Sequence, residues 1–126
     1  MNERVYQGTY NIRLSGESKI NPTIQVELSP IYVKIIGCNI HSAEYDLYKD
    51  GGFKLKQVAS TKRLCQDDQD SNYLEAFVEA TKLGTSKNGL VLGNHQGDLA
   101  FLTDVQARVT SVERYYYSLE ESYRQF

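Results

Sequence analysis

Apolar and polar residues alternate with period two along the first half of the chain. From Thr9, the side chains of Tyr10, Ile12 and Leu14 fall on one side, with Asn11 and Arg13 on the other. Such alternation predicts a half-buried strand. Ser15-Gly16-Glu17-Ser18 supplies turn chemistry, and Ile24, Val26 and Leu28 then repeat the pattern against Thr23, Gln25 and Glu27. Ser29-Pro30 breaks that run, because proline cannot donate to a ladder. Ile31, Val33 and Ile35 predict a third strand, with Ile36 marking an end buried on both faces. Tyr45 and Leu47 predict a fourth, which Lys49-Asp50-Gly51-Gly52 turns into a fifth around Phe53 and Leu55.

The period changes after Cys65. Residues Gln66 to Asn72 are polar and acidic, and Tyr73, Leu74, Phe77, Val78 and Thr81 then follow at helical spacing. Asp70 or Ser71 suits the N-cap, and Gly84 is placed to stop the helix. Leu90 to Leu92 and Leu99 to Leu102 read as two strands joined through Gly93-Asn94-His95-Gln96-Gly97. Short strands with one inserted helix imply an α+β domain, mostly antiparallel. Beyond it, Val105, Val109, Val112, Tyr116, Leu119, Tyr123 and Phe126 recur at steps of four and three. That is the narrow seam of an amphipathic helix, with Asp104 as its N-cap and Arg108, Glu113, Arg114, Glu120, Glu121 and Arg124 on the polar side. The expected division is 1–103 for the domain and 104–126 for a helical extension.

Composition narrows the function classes. The 126 residues are 40% hydrophobic and 24% charged, the balance of a folded domain. A net charge of -2, with Lys and Arg dispersed among acids, offers no basic surface for nucleic acid. The opening residues lack an apolar signal core and no run is long enough to span a bilayer. A cytoplasmic or other intracellular location is the expectation.

The segment from about Thr9 to Leu102 resembles the META/HslJ-like domain family, found in bacterial envelope and heat-shock-associated proteins and in protozoan parasites. The resemblance rests on a strand ending in Gly37-Cys38-Asn39, then Ala43-Glu44-Tyr45, then a hairpin and the Ser-Thr-x-x-x-Cys element Ser60-Thr61-Lys62-Arg63-Leu64-Cys65. A helix over Tyr73 to Leu83 and closing strands at Leu90-Val91-Leu92 and Leu99-Ala100-Phe101-Leu102 complete it. It implies a compact, curved antiparallel sheet, or partly open barrel, with one packed helix. Gly37, Cys38, Asn39, Ser60, Thr61 and Cys65 would be its structural signature, and no catalytic residues carry over. The chain departs from the family with Asp70 where Glu often starts the helix, and with Ile40-His41-Ser42-Ala43 in place of a small-polar-Gly run. Bacterial relatives are often exported or lipid-anchored, a property not transferred here.

Reactive combinations are few. Cys38 and Cys65, if brought together, could pack as buried thiols, form a disulfide, or act as a redox pair; buried thiols are the expectation for an intracellular chain. Two cysteines and two distant histidines fall short of a zinc site. Asp68, Asp70, Asn72 and Glu79 fit positions of a calcium loop, but Tyr73 stands where the loop needs Gly, so a solvated, capping acidic loop is expected. Asn39 and Thr61 suit hydrogen bonding to turn and backbone groups. Cys38, His41 and an acid do not make a nucleophilic set, since residues three apart on an extended chain do not aim at one another. Gly84-Thr85-Ser86-Lys87 leaves a helix where a phosphate loop would open one.

The sequence thus leads to a non-enzymatic interaction or structural module, without cofactor or metal, that docks on a protein partner in a larger assembly. Val112, Tyr115, Tyr116, Leu119, Tyr123 and Phe126 are the expected contacts, since tyrosine joins a large apolar body to a polar tip. The same seam would alternatively fold back over its own sheet. Membrane-surface binding is disfavoured by a polar face that is not basic. A second functional reading, suggested by similarity of the fold to secretion-pilot proteins that bind lipid-like tails, is a stress- or virulence-associated carrier of a small ligand or lipid tail.

Overall fold

Inward-facing Tyr10 and Ile12, separated by half-buried Asn11, set the pattern for the strands that follow. The computed structural model describes residues 6–66 and 69–105. These form β1 (Gly8–Leu14), β2 (Gln25–Leu28), β3 (Tyr32–Ile36), β4 (Ile40–Leu47), β5 (Phe53–Ser60), α1 (Asp70–Glu79), β6 (Lys82–Ser86), β7 (Gly89–Asn94) and β8 (Gly97–Asp104). The strands make one eight-stranded sheet in the order β5-β4-β3-β2-β1-β8-β7-β6, and every pairing is antiparallel. Two meanders are therefore stitched by the β1–β8 pair, and α1 carries the chain from one sheet edge to the other.

Those two edges meet. Gly52 bridges to Lys82, Phe53 N–H donates to Thr81 O at 2.9 Å, and Leu83 N–H donates to Gly51 O at 2.9 Å. The open sheet is thus curved far enough for its edges to touch at one point, with one helix packed on it, the curved antiparallel sheet that the resemblance implied. Its concave side is filled by Val26, Leu28, Val33, Ile35, Tyr45, Leu92 and Leu102 from the strands and by Tyr73, Ala76 and Phe77 from α1. The helix packs against β1, β3, β5, β7 and β8. Tyr45, Phe53 and Phe77 form a tilted aromatic row, with ring centroids 5.4 and 6.2 Å apart.

Several expectations change. The helix ends at Glu79, and Ala80 is already extended with ψ 139°. Residues Lys82–Ser86, read from sequence as helix end and stop, are a strand with one buried side chain, Leu83. Val78 and Thr81 are exposed, and the buried stripe of α1 is Asp70, Tyr73, Ala76 and Phe77. Gln69 occupies the N-cap position without a side-chain cap bond, in place of Asp70 or Ser71. Ile31 lies exposed just before β3, whose first residue, Tyr32, is exposed as well. β4 begins at Ile40 and β5 runs on to Ser60, both longer than their apolar residues suggest. Asp104, expected to cap a helix, is the last residue of β8, opposite Tyr10. The C-terminal helix, with Val112, Tyr115, Tyr116, Leu119, Tyr123 and Phe126, lies outside the described residues.

Candidate functional site

The β3–β4 turn is built from Gly37-Cys38-Asn39, closed by Gly37 N–H donating to Asn39 O at 2.9 Å. Gly37 is required by proximity: a Cβ there would lie 2.8 Å from both Asp70 Cβ and Ile24 Cδ1. The helix start therefore rests directly on the turn. Asn39, itself buried, uses both ends of its amide. Its Oδ1 accepts from Thr61 Oγ1 at 2.9 Å and from Arg63 N–H at 2.6 Å. Its Nδ2 donates to Arg63 O at 3.2 Å and to Cys65 Sγ at 3.5 Å. Thr61 completes the exchange, its Oγ1 accepting from Ile40 N–H and its own N–H donating to Ile40 O, each at 3.0 Å.

Cys38 and Cys65 are joined in a disulfide, with Cα atoms 6.2 Å apart. This departs from the expectation of buried thiols, and Cys38 is exposed. The physical reason is the Asn39 clamp, which draws residues 61–65 back against the turn and leaves the sulfurs adjacent at the surface. All six signature residues, Gly37, Cys38, Asn39, Ser60, Thr61 and Cys65, are thus gathered at one corner, where β3 and β5 end and β4 and α1 begin.

That corner also holds a row the sequence reading missed. His41 lies on the inward parity of β4 with Ala43 and Tyr45, and its side chain is buried. Its Nε2 is 2.8 Å from Asp70 Oδ2, and its Nδ1 is 2.7 Å from Ser60 Oγ. Asp70 is not part of a solvated loop: it is 1% exposed, and Oδ2 also accepts from Asn39 N–H at 3.2 Å. A carboxylate in the first turn of a helix faces the positive end of the dipole. Bound to a carboxylate through Nε2–H, a neutral imidazole leaves Nδ1 as the acceptor, so the Ser60 hydroxyl donates to it. The signal available in sequence was parity, since His41, Ala43 and Tyr45 share one face; only the folded register places Ser60 opposite His41.

Other candidates stay apart. Cys38, in its disulfide, forms no set with His41. Asp68 of the calcium-like spacing lies outside the described residues, while Asn72 and Glu79 are exposed on α1. Among the described residues no group of three or more His, Cys, Asp or Glu side chains is arranged to hold a metal ion. Gly84-Thr85-Ser86 belongs to β6. His95 is exposed in the β7–β8 hairpin. No helix among the described residues is long and apolar enough to cross a membrane.

Among curated proteins, no sequence matches this chain. Among solved structures, an NMR structure of a protein from Burkholderia xenovorans is similar, with a TM-score of 0.57 and 17% identity, over 77% of this chain and 81% of that one. At that identity the likeness concerns the fold. The sequence profile of the META domain matches residues 5–106, spanning every described strand and the helix. With the Gly-Cys-Asn turn, the Ser-Thr-x-x-x-Cys element and the helix seated between them in one corner, the chain belongs to the META domain family.

Proposed function

We propose that this META domain is a non-enzymatic interaction and structural module, which docks into a larger assembly through the seam that follows β8. The observation that carries the reading is the spacing of Val112, Tyr116, Leu119, Tyr123 and Phe126, with Tyr115 flanking, on a segment that begins where the sheet ends. The signature residues support it from the other side. Asn39 and Thr61 spend their polar atoms on the fold itself, leaving the outer surface as the place for recognition. The concave side is packed with aromatic and aliphatic side chains, which favours docking over carriage of a lipid tail inside the sheet.

The test is affinity purification of the tagged full chain beside a chain ending at Val105, which keeps β8 whole. We expect both to fold with the same melting profile and only the full chain to retain its partner. Tyr116→Ala with Leu119→Ala should reproduce the loss. Equal recovery of the partner by the truncated chain would overturn the proposal. So would unfolding of the truncated chain together with retained partner binding by the double variant.

A further inference from the structure

We propose that Ser60 is a base-activated nucleophile, an acyl-acceptor site that takes an acyl group from a small activated ester. Three observations carry this. Ser60 is exposed at the end of the terminal strand, and its Oγ is 2.7 Å from His41 Nδ1. The far nitrogen of the ring is 2.8 Å from a carboxylate that is 1% exposed. That carboxylate is held in turn by Asn39 N–H, so it cannot swing away without disturbing the signature turn. A hydroxyl, an imidazole and a buried carboxylate in line form the array that turns a weak oxygen nucleophile into a strong one, and it is recognised by geometry and not by sequence order. Here the ring is reversed relative to the commonest arrangement, with Nδ1 toward the hydroxyl and Nε2 toward the acid. Either nitrogen serves, because the carboxylate fixes which of them carries the proton.

The ladder supplies a second element. Thr61 N–H donates to Ile40 O, so the bonded pairs flank His41 and Ser60, which face each other as a non-bonded pair with their side chains close. The N–H of Ser60 itself then turns away from β4 toward the outer edge of β5, at the end remote from the Gly52–Lys82 bridge. It is placed to donate to an acyl oxygen approaching from that side. An open strand edge admits a compact acyl group more readily than it selects a long one, which sets the substrate class.

The step balances without a further reagent. Ser60 Oγ attacks the acyl carbon while its proton passes to His41 Nδ1. The carbonyl oxygen takes the negative charge and returns it as the bond to the leaving oxygen breaks. The leaving alcohol departs with the proton from Nδ1, leaving an ester on Ser60 and a neutral imidazole. Docking through residues beyond Val105 and acylation at Ser60 are independent: the truncated chain keeps Ser60, His41 and Asp70.

The experiment is exposure of the full chain to p-nitrophenyl acetate, with acetylated residues quantified by peptide mass spectrometry over time. Ser86 is the internal reference, an exposed serine at the end of β6 with no described histidine bonded to it. General-base assistance contributes about 10²–10⁴-fold, so Ser60 should be acetylated about 100-fold faster than Ser86. His41→Gln, checked for folding by circular dichroism, should bring Ser60 down to the Ser86 rate. If that variant unfolds, the Ser60-to-Ser86 ratio in the native chain decides. Equal rates at the two serines, or a folded His41→Gln chain that acetylates Ser60 as fast as the parent, would overturn the proposal.

Discussion

Gly37 and Tyr45 show how single residues set the stability of this fold. At Gly37 the turn and the helix start touch, and an added methyl would lie 2.8 Å from Asp70 Cβ and Ile24 Cδ1. Gly37→Ala should therefore cost about 1–3 kcal/mol, because Ile24 Cδ1 can turn aside but Asp70 Cβ cannot yield without moving the helix start; urea unfolding of the variant measures it. Tyr45 carries a pH dependence. Burial, reinforced by Tyr10 and Tyr6, pushes its hydroxyl up to about 12 from 10.0, and the hydroxyl donates to Ser29 O at 2.6 Å. The folded state thus holds this proton more tightly than the unfolded chain. Its contribution is whole below pH 10 and falls away as pH climbs toward about 12. Tyr45→Phe should flatten that alkaline decline in a melting-temperature series, while costing about 1 kcal/mol at neutral pH for the lost hydrogen bond. Tyr45 was legible as an inward residue from alternation alone. The partner of its hydroxyl was not, since Ser29 lies across a turn and only the folded register brings it near.

At the scale of elements, alternation was a good guide where strands have one wet and one dry face. β1, β2, β3, β7 and β8 each place alternate apolar residues inward, and their sequences announce it. β6 was illegible because five residues with a central glycine bury only Leu83, too short a record for any period. The same Gly84 has the look of a helix stop, yet α1 ends five residues before it, at Glu79. Asp70 was misjudged for a related reason: an acid in an acidic run reads as solvated, and its burial depends on His41, 29 positions away. The disulfide is the strongest test of how elements hold together. It ties the β3–β4 turn to the segment after β5 across a separation of 27 residues. In the chain-entropy account, closing such a loop stabilises by about 3–4 kcal/mol. Replacing both Cys38 and Cys65 by Ser should lower the unfolding free energy from urea titration by that amount, and the midpoint with it, without loss of the circular dichroism spectrum. A midpoint unchanged within error would mean that the Asn39 clamp alone holds the corner.

For the whole molecule, the α+β class and antiparallel sheet were readable, because turn signals follow nearly every apolar run. Closure through Gly52 and Lys82 was not, since a long-range bridge between two edges leaves no local pattern. The candidate site was legible in part: its signature residues carry the family resemblance, while the Ser60-His41-Asp70 row depends on three elements meeting. The β1–β8 pairing has a consequence of its own. Tyr10 stands opposite Asp104 in an antiparallel pair, so the polypeptide enters and leaves the sheet side by side. Such a body can be spliced into a host protein as an insert, or have its ends linked and be reopened at a hairpin, without rerouting any strand.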